Sequence, residues 1–256
     1  MPAYYGETAN SCRLEECLLK ASDMIGWKEK GMRTVMPDGK IRARGVAMAM
    51  QGSSISNCDV GSVTVKLSDE GTYHITVGCT DMGTGCDTII AQFAADVLET
   101  PIDNISVYGV DTDISPYDSG SYASSTTYLT GMAAVKACEQ LRERIIALAA
   151  VRMNKDARHS LLTENVIDES DGAKMSLFDI ATASMCNNEI SLEVTYSHSS
   201  PVSPPPFMAA CAEIEADPET GAIELLDYTA CVDCGTVVNT NLQGYRLRVV
   251  FYRESV

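Results

Sequence analysis

The chain lacks any run of about 18 apolar residues, so it offers no segment of membrane-spanning length. It lacks a basic start followed by an apolar core: MPAYYGETANSCRLEE does not read as a secretory signal. Basic side chains are scarce, 19 Lys and Arg against 35 Asp and Glu, for a formal net charge of -16. That balance excludes a nucleic-acid partner, which needs clustered cations. Only three histidines are present, His74, His159 and His198, far apart and in unremarkable contexts. No Ser-His-Asp set, phosphate-binding Walker loop, EF-hand pattern or clear internal repeat is found.

Cysteine, by contrast, is abundant, with ten in 256 residues. No leader points to an oxidising compartment, and several cysteines lie in apolar segments, among them Cys138 and Cys211. They read as reduced, buried small residues of a cytoplasmic protein. Cys231 and Cys234 form a C-x2-C, but no second pair repeats that spacing, which favours a structural role over a redox or metal one.

Periodicity organises the chain. Leu14, Cys17, Leu18, Ala21, Met24 and Ile25 recur at helical spacing, and Gly26 marks a stop. RGVAMAMQG is short and apolar, which predicts a buried strand. Val63, Val65 and Leu67 alternate, Asp69 to Gly71 turn, and Tyr73, Ile75 and Val77 alternate back, so a hairpin is predicted. A helix from Cys86 to Leu98, a strand in PIDNISVYGVDT and a long helix beginning near Gly131 follow. After a polar stretch come a short helix capped by Ser176, a strand in NEISLEVTYSHSS, a rigid PVSPPP linker and a second hairpin turned by Asp217 to Gly221. The order predicts an α+β fold with split βαβ units and mixed sheets. Three segments are expected: 1–43, an N-terminal helix and connector; 44–155, a first unit; and 156–256, a linker and partial second unit.

Two loops carry the candidate chemistry. Gly83, Thr84 and Gly85 precede a helix, where unpaired amides suit an anion and bare backbone lets a ligand approach. The same pattern also suits a plain strand-to-helix turn capped by Asp81. The second loop, Asp118 to Thr127, is rich in small and hydroxyl-bearing residues and opens the long helix. It reads either as an oxyanion site or as a capping cluster. Two such loops on one βαβ unit point towards a shared anionic ligand. Neither a metal ligand set nor a catalytic residue is assigned from the residues alone.

Three ordered stretches carry a resemblance: TDMGTGCDTIIAQFAADVL, DTDISPYDSGSYASSTTYLTGMAAVKAC and AEIEADPETGAIELLDYTACVDCGTVVN. Each is similar to a segment of the molybdenum hydroxylases, the xanthine dehydrogenase and aldehyde oxidase family, most of all its bacterial xanthine dehydrogenase-like molybdenum-binding subunits. The likeness runs from the first helix to about Leu242. It implies a molybdenum–pterin cofactor, commonly a dinucleotide in bacteria. Gly83-Thr84-Gly85 would lie beside it, with Thr84 where the family usually has Gln. Ala123, Ser124, Ser125 and Thr126 match the loop that holds the pterin phosphate. Met48 and Tyr122 match positions lining the substrate pocket, Met48 where an aromatic is common. The implied reaction is hydroxylation of a purine or related heterocycle with oxygen from water; electrons leave through iron–sulfur and flavin subunits. Nicotinate, aldehyde and other purine hydroxylases are the nearest alternatives, and a non-catalytic remnant is the rival outside enzymes.

The resemblance also implies that segments are missing. A Phe-Arg-Gly segment is expected before residue 1, and the segment of the catalytic glutamate well after residue 242. The ending GYRLRVVFYRESV departs from the family, yet Gly244 to Val256 can be encoded so that a shifted frame spells Leu-Gln-Ala-Glu-Gly-Gly-Ile-Leu-Gln-Gly-Ile-Gly, the stretch the family has there. The expectation is a truncated or frameshifted fragment, inactive alone, with another polypeptide carrying the rest of the domain.

Overall fold

The computed structural model describes residues 12–154, 159–162, 165–168, 170–186 and 191–241. The helix α1 (Leu14–Met24) ends where Gly26 turns left-handed at φ 71°, and a short α2 (Trp27–Lys30) follows. Strands β1 (Arg33–Val35) and β2 (Ile41–Met50) precede β3 (Gly61–Leu67) and β4 (Tyr73–Val77). Next come α3 (Cys86–Leu98), β5 (Ile105–Gly109) and α4 (Thr126–Met153). A small antiparallel group of β6 (His159–Leu162), β7 (Asn165–Asp168) and β8 (Lys174–Ser176) leads into α5 (Leu177–Cys186). The Ser176 hydroxyl accepts the Asp179 amide at 3.1 Å, the predicted cap. The chain closes with β9 (Glu193–His198), β10 (Phe207–Ala216) and β11 (Ile223–Asp233). The fold is α+β with mixed sheets, as expected.

Two compact units divide the chain differently from the segments drawn on the sequence: residues 54–202 form one, and 1–53 with 203–256 form the other. The reason is β2, which pairs with β10 along its whole length, Met50 opposite Phe207 through Ile41 opposite Ala216. The first 53 residues therefore belong with the second hairpin. The tail beyond residue 241, where the frameshift is expected, and residues 1–11 lie outside the described residues.

In the unit of residues 54–202, the sheet order is β5-β4-β3-β9. Cross-strand partners Val63 and Val77, Val65 and Ile75, Leu67 and Tyr73 share one face, and all six are buried. Ile90, Ala94 and Leu98 of α3 and Ala133, Ala137, Leu141, Ile145 and Leu148 of α4 cover that face. Burying each large aliphatic there contributes about 1.5–3 kcal/mol. The other face keeps Thr64 bonded across the sheet to Thr195 at 2.8 Å, with His74 exposed. The helix α4 begins five residues before the predicted start, because Thr126 to Thr130 continue its turns.

In the other unit the order is β1-β2-β10-β11. The helix α1 packs across β10 and β11, with Ala21 and Ile25 fully buried against Cys211. Basic residues on β2 face acids on β10: Arg44 pairs with Glu213, and Arg42 with Glu215 at 2.8 Å. Lys30 and Lys40 complete the set, at 2.9 Å from Glu213 and 3.0 Å from Glu215. The prediction of a buried β2 fails: Arg44 is its one buried residue, and every residue from Gly45 to Met50 is exposed. Val46, Met48 and Met50 are exposed because α1 lies over the neighbouring strands and leaves an open hollow of about 630 Å³ beside Val46.

Candidate functional site

The strands β4 and β5 are parallel, with Val77 opposite Gly109. Each runs out of the same sheet edge into a loop and then a helix, β4 into α3 and β5 into α4. Ligands of such sheets gather beyond the carboxyl ends of parallel strands. The two loops also touch. A Cβ on Gly78, the first residue after β4, would stand 2.4 Å from the Pro116 carbonyl oxygen and 2.6 Å from Asp118 Cβ. Only hydrogen fits between them. Asp118 then orders the second loop: its Oδ1 accepts the Gly120 amide at 2.8 Å and its Oδ2 the Thr130 hydroxyl at 2.9 Å. Ser119 is tied to Val60, whose amide donates to Ser119 Oγ at 3.0 Å and whose carbonyl accepts the Ser119 amide at 2.9 Å.

The glycine bend is left-handed at Gly83 (φ 96°) and Gly85 (φ 76°), which is why glycine stands at both. Its amides are engaged. Asp81 Oδ1 accepts the Gly83 amide at 2.9 Å and the Gly85 amide at 3.0 Å. Burial opposes the charge on Asp81, but these donors, with the amides of Asp87 and Thr84, outweigh it and lower the pKa. The turn capped by Asp81 is therefore what forms, and Gly83 and Gly85 contribute room rather than free donors. Nothing lies within 4 Å of a Cβ placed on Gly83.

The second loop is different. Ala123 (φ 51°) and Ser124 (φ 58°) turn left-handed just before the 28-residue α4. The Ser125 hydroxyl is buried and donates to the Gly120 carbonyl at 3.0 Å, and Thr126 Oγ1 donates to Ser121 Oγ at 2.9 Å. No side chain caps the helix start. The first-turn amides of a long helix thus face the loop surface without a side-chain acceptor, an arrangement that suits a phosphate. Tyr122 is 49% exposed on this loop. Behind it stands Asp59, fully buried, whose Oδ2 accepts the Ile55 amide at 2.7 Å while Oδ1 has no hydrogen-bond partner among the described residues.

A thiol group sits under the glycine bend. Cys79 and Cys86 are buried, and burial raises the pKa of both thiols. The Cys86 thiol points at Asp87 Oδ1 across 3.7 Å, and desolvation raises the Asp87 pKa. Donor atoms of Asp81, Cys86 and Asp87 lie within 4.8 Å of one another. The acidic lining of the glycine bend makes it a poor place for phosphate charge, which leaves the α4 start as the better anion site.

The structure brings the starts of the two loops together at Gly78, Pro116 and Asp118; Gly83, Thr84 and Gly85 lie further along the first loop, and Tyr122, Ala123, Ser124, Ser125 and Thr126 further along the second. Met48 belongs to the other unit, exposed on β2. Sequence reasoning missed Gly78 and Asp59, and it gave Asp118 only as the start of the second loop. A glycine set directly after an alternating strand signals a close backbone approach and could have flagged Gly78. Nothing local marks the buried aspartate.

Comparison with known proteins bears on the family and the fold. The family described as molybdopterin cofactor-binding domain matches residues 20–244. The chain is 37% identical over 237 residues to the "Probable hypoxanthine oxidase XdhD" of Escherichia coli (strain K12), covering 92% of this chain and 24% of that protein. It is 28% identical over 222 residues to a xanthine dehydrogenase molybdenum-binding subunit of Escherichia coli O157:H7, covering 83% and 29%. The chain therefore spans about a quarter of the length of these relatives. Quinoline 2-oxidoreductase from Pseudomonas putida 86 superposes with a TM-score of 0.83 at 20% identity, over 97% of this chain and 34% of that one. A copper- and molybdenum-containing CO dehydrogenase gives 0.79 at 23%, over 96% and 34%. At such identities the two structures establish the fold.

Proposed function

Because the chain belongs to the molybdopterin cofactor-binding domain family, we propose that its two adjoining loops hold part of a molybdenum–pterin cofactor, within the molybdenum-binding portion of a xanthine dehydrogenase-like hydroxylase. The observation that carries this reading is the Gly78–Asp118 contact, which fixes two helix-opening loops side by side beyond parallel strands. When bound, the cofactor would supply the oxidation that places a water-derived oxygen on a purine or related heterocycle.

The chain's own residues take up different tasks. The amides opening α4, at Thr126 and Thr127, with Ser124 and Ser125, bind the phosphate of the cofactor. Gly83, Thr84 and Gly85 give a flat flank along which a ring system lies, with Asp81 holding the bend. Tyr122 lines the side from which substrate arrives. Purine is the favoured substrate class because the named relatives are a hypoxanthine oxidase and a xanthine dehydrogenase subunit. Iron–sulfur and flavin subunits in the cytoplasm take the electrons, and further polypeptide supplies the remaining segments, so the chain alone turns nothing over.

Ser124→Asp tests the assignment. Its left-handed backbone tolerates Asp, and an acid at a helix start does not disturb the fold. In fluorescence titrations of the chain with the pterin cofactor, the substitution should weaken binding about tenfold or more, about 1.4 kcal/mol. Equal binding by both proteins defeats the loop assignment. Oxidation of xanthine by the chain alone defeats the proposed dependence on other segments.

A further inference from the structure

We propose that the hollow between α1, α2 and β2 is a binding site for an aryl carboxylate, a flat apolar body with a single negative charge. It lies within the unit of residues 1–53 and 203–256 and does not depend on the pterin loops.

The hollow follows from how the helices meet the sheet. Val46 on β2 pairs with Cys211 on β10, so both side chains leave the same face of the sheet. Ala21 and Ile25 of α1 bury Cys211 to 1% exposure. Val46, one strand further across, keeps 46%. At Gly26 the chain turns left-handed and starts α2, which sets the half-buried Trp27 beside the gap. The result is a hollow of about 630 Å³ with Leu18, Leu19, Trp27 and Val46 as its apolar lining. Small-molecule sites usually span about 300–1,000 Å³. Trp27 contributes a flat surface on which an aromatic ring packs favourably.

The charges select the sign of the ligand. Lys20, Asp23 and Lys28 also line the hollow, two cations against one acid. The chain as a whole carries -16, so this spot runs against the rest of the molecule. Other basic residues of the same unit are already paired: Arg13 with Glu16, Lys30 and Arg44 with Glu213, Lys40 and Arg42 with Glu215. Among the described residues, neither Lys20 nor Lys28 makes an ion pair. Lysine stems lie along apolar surface and keep the ammonium at the water boundary. The two lysines can therefore meet one carboxylate at the mouth while its ring goes inside. A neutral ring leaves both cations without a partner, and Asp23 opposes a second negative group.

Trp27 is the single tryptophan of the chain, so one indole N–H signal in a nitrogen-correlated NMR spectrum reports on the hollow. The test titrates the full chain with 2-naphthoate and, separately, with 2-naphthamide, which has the same rings and no charge. The Trp27 indole and Val46 amide signals should shift saturably with 2-naphthoate. The amide should bind about tenfold more weakly, the worth of two exposed ion pairs. Lys20→Gln combined with Lys28→Gln, both exposed positions, should weaken 2-naphthoate by about the same factor and leave 2-naphthamide unchanged. Val46→Glu, at an exposed position of β2, should abolish 2-naphthoate binding while signals elsewhere stay in place. Equal affinity for the acid and the amide, or shifts that spare Trp27 and Val46, overturns the proposal. Absence of any saturable shift overturns it too and leaves the face to another polypeptide. A Trp27 signal that moves with protein concentration alone gives the hollow to a second copy of the chain, which also overturns the proposal.

Discussion

Gly78 lies so close to Asp118 that a methyl group has no place between them: the added carbon would sit 2.6 Å from the aspartate's Cβ, with the Pro116 carbonyl oxygen at 2.4 Å. Neither neighbour is the far end of a flexible side chain. Gly78→Ala should therefore push the second loop away from β4 rather than turn a rotamer. Overpacking of this kind costs about 1–3 kcal/mol. Urea denaturation should register that loss. Cofactor binding should fall further than stability does, because the loops separate. A Gly78→Ala protein with parental stability and binding would show that the contact does not matter.

How far the sequence disclosed this arrangement depends on range. The β3–β4 hairpin and α3 were legible because alternation gives way to helical spacing at a glycine bend, all within 40 residues. The proximity of the loops was inferable only from the βαβ order. The atoms that enforce it, at Gly78 and Asp118, carry no periodic signal. Membership of β2 was misjudged because an apolar strand looks alike in any sheet, and its partner β10 lies more than 150 residues away. The engagement of Gly83 and Gly85 by Asp81 was one of two readings that the local pattern allowed, and only the placed carboxylate decides between them.

Asp81→Ala should expose that engagement. It removes the acceptor of two amides at a helix start, a change that costs about 0.5–2 kcal/mol. The carboxylate's pKa is lowered in the folded chain, so its stabilisation is fully present above the ordinary aspartate range. It is lost as pH falls through the depressed native value. The gap in urea midpoint between parent and variant should thus be widest near neutrality and shrink in acid. A gap that is constant with pH would mean that the cap does not act through its charge.

The Arg44–Glu213 pair makes a sharper case, because both side chains are about 5% exposed or less. Burial opposes the charge on Glu213, but Lys30 and Arg44 outweigh it and lower the pKa. Removing one partner of a buried pair costs about 3–5 kcal/mol. Lys30, at 2.9 Å, still serves Glu213 in Arg44→Met, which places that variant near the lower end. Arg44→Met with Glu213→Leu should recover much of the loss, since no stranded charge remains. The parent should lose the pair's contribution as pH drops through the depressed Glu213 value and keep it above the ordinary glutamate range. Denaturant titrations of the three proteins at neutral and acid pH measure both effects; a double variant no better than the single one would rule out the stranded charge.

The packing of α4 can be probed at two glycine positions that look equivalent on paper and differ in what surrounds them. A Cβ on Gly61 of β3 would stand 2.6 Å from the Thr130 amide nitrogen and 2.7 Å from its Cα, both backbone atoms of α4. A Cβ on Gly131 would stand 2.6 Å from Cε2 of the Phe93 ring on α3. A ring can tilt or shift, whereas a helix must move as a body. Both sites lie away from left-handed backbone, so alanine itself adds no conformational strain. Gly131→Ala also gains helix propensity, by about 0.8–1.0 kcal/mol. It should come out within about 2 kcal/mol of the parent, at the mild end of overpacking. Gly61→Ala should exceed it clearly, and because Thr130 also donates to Asp118, it should loosen the second loop. Hydrogen exchange at Gly120, whose amide is held by Asp118, reads this directly: faster exchange is expected in Gly61→Ala and parental exchange in Gly131→Ala. The reverse order would mean that α3, not α4, carries the strain to the site.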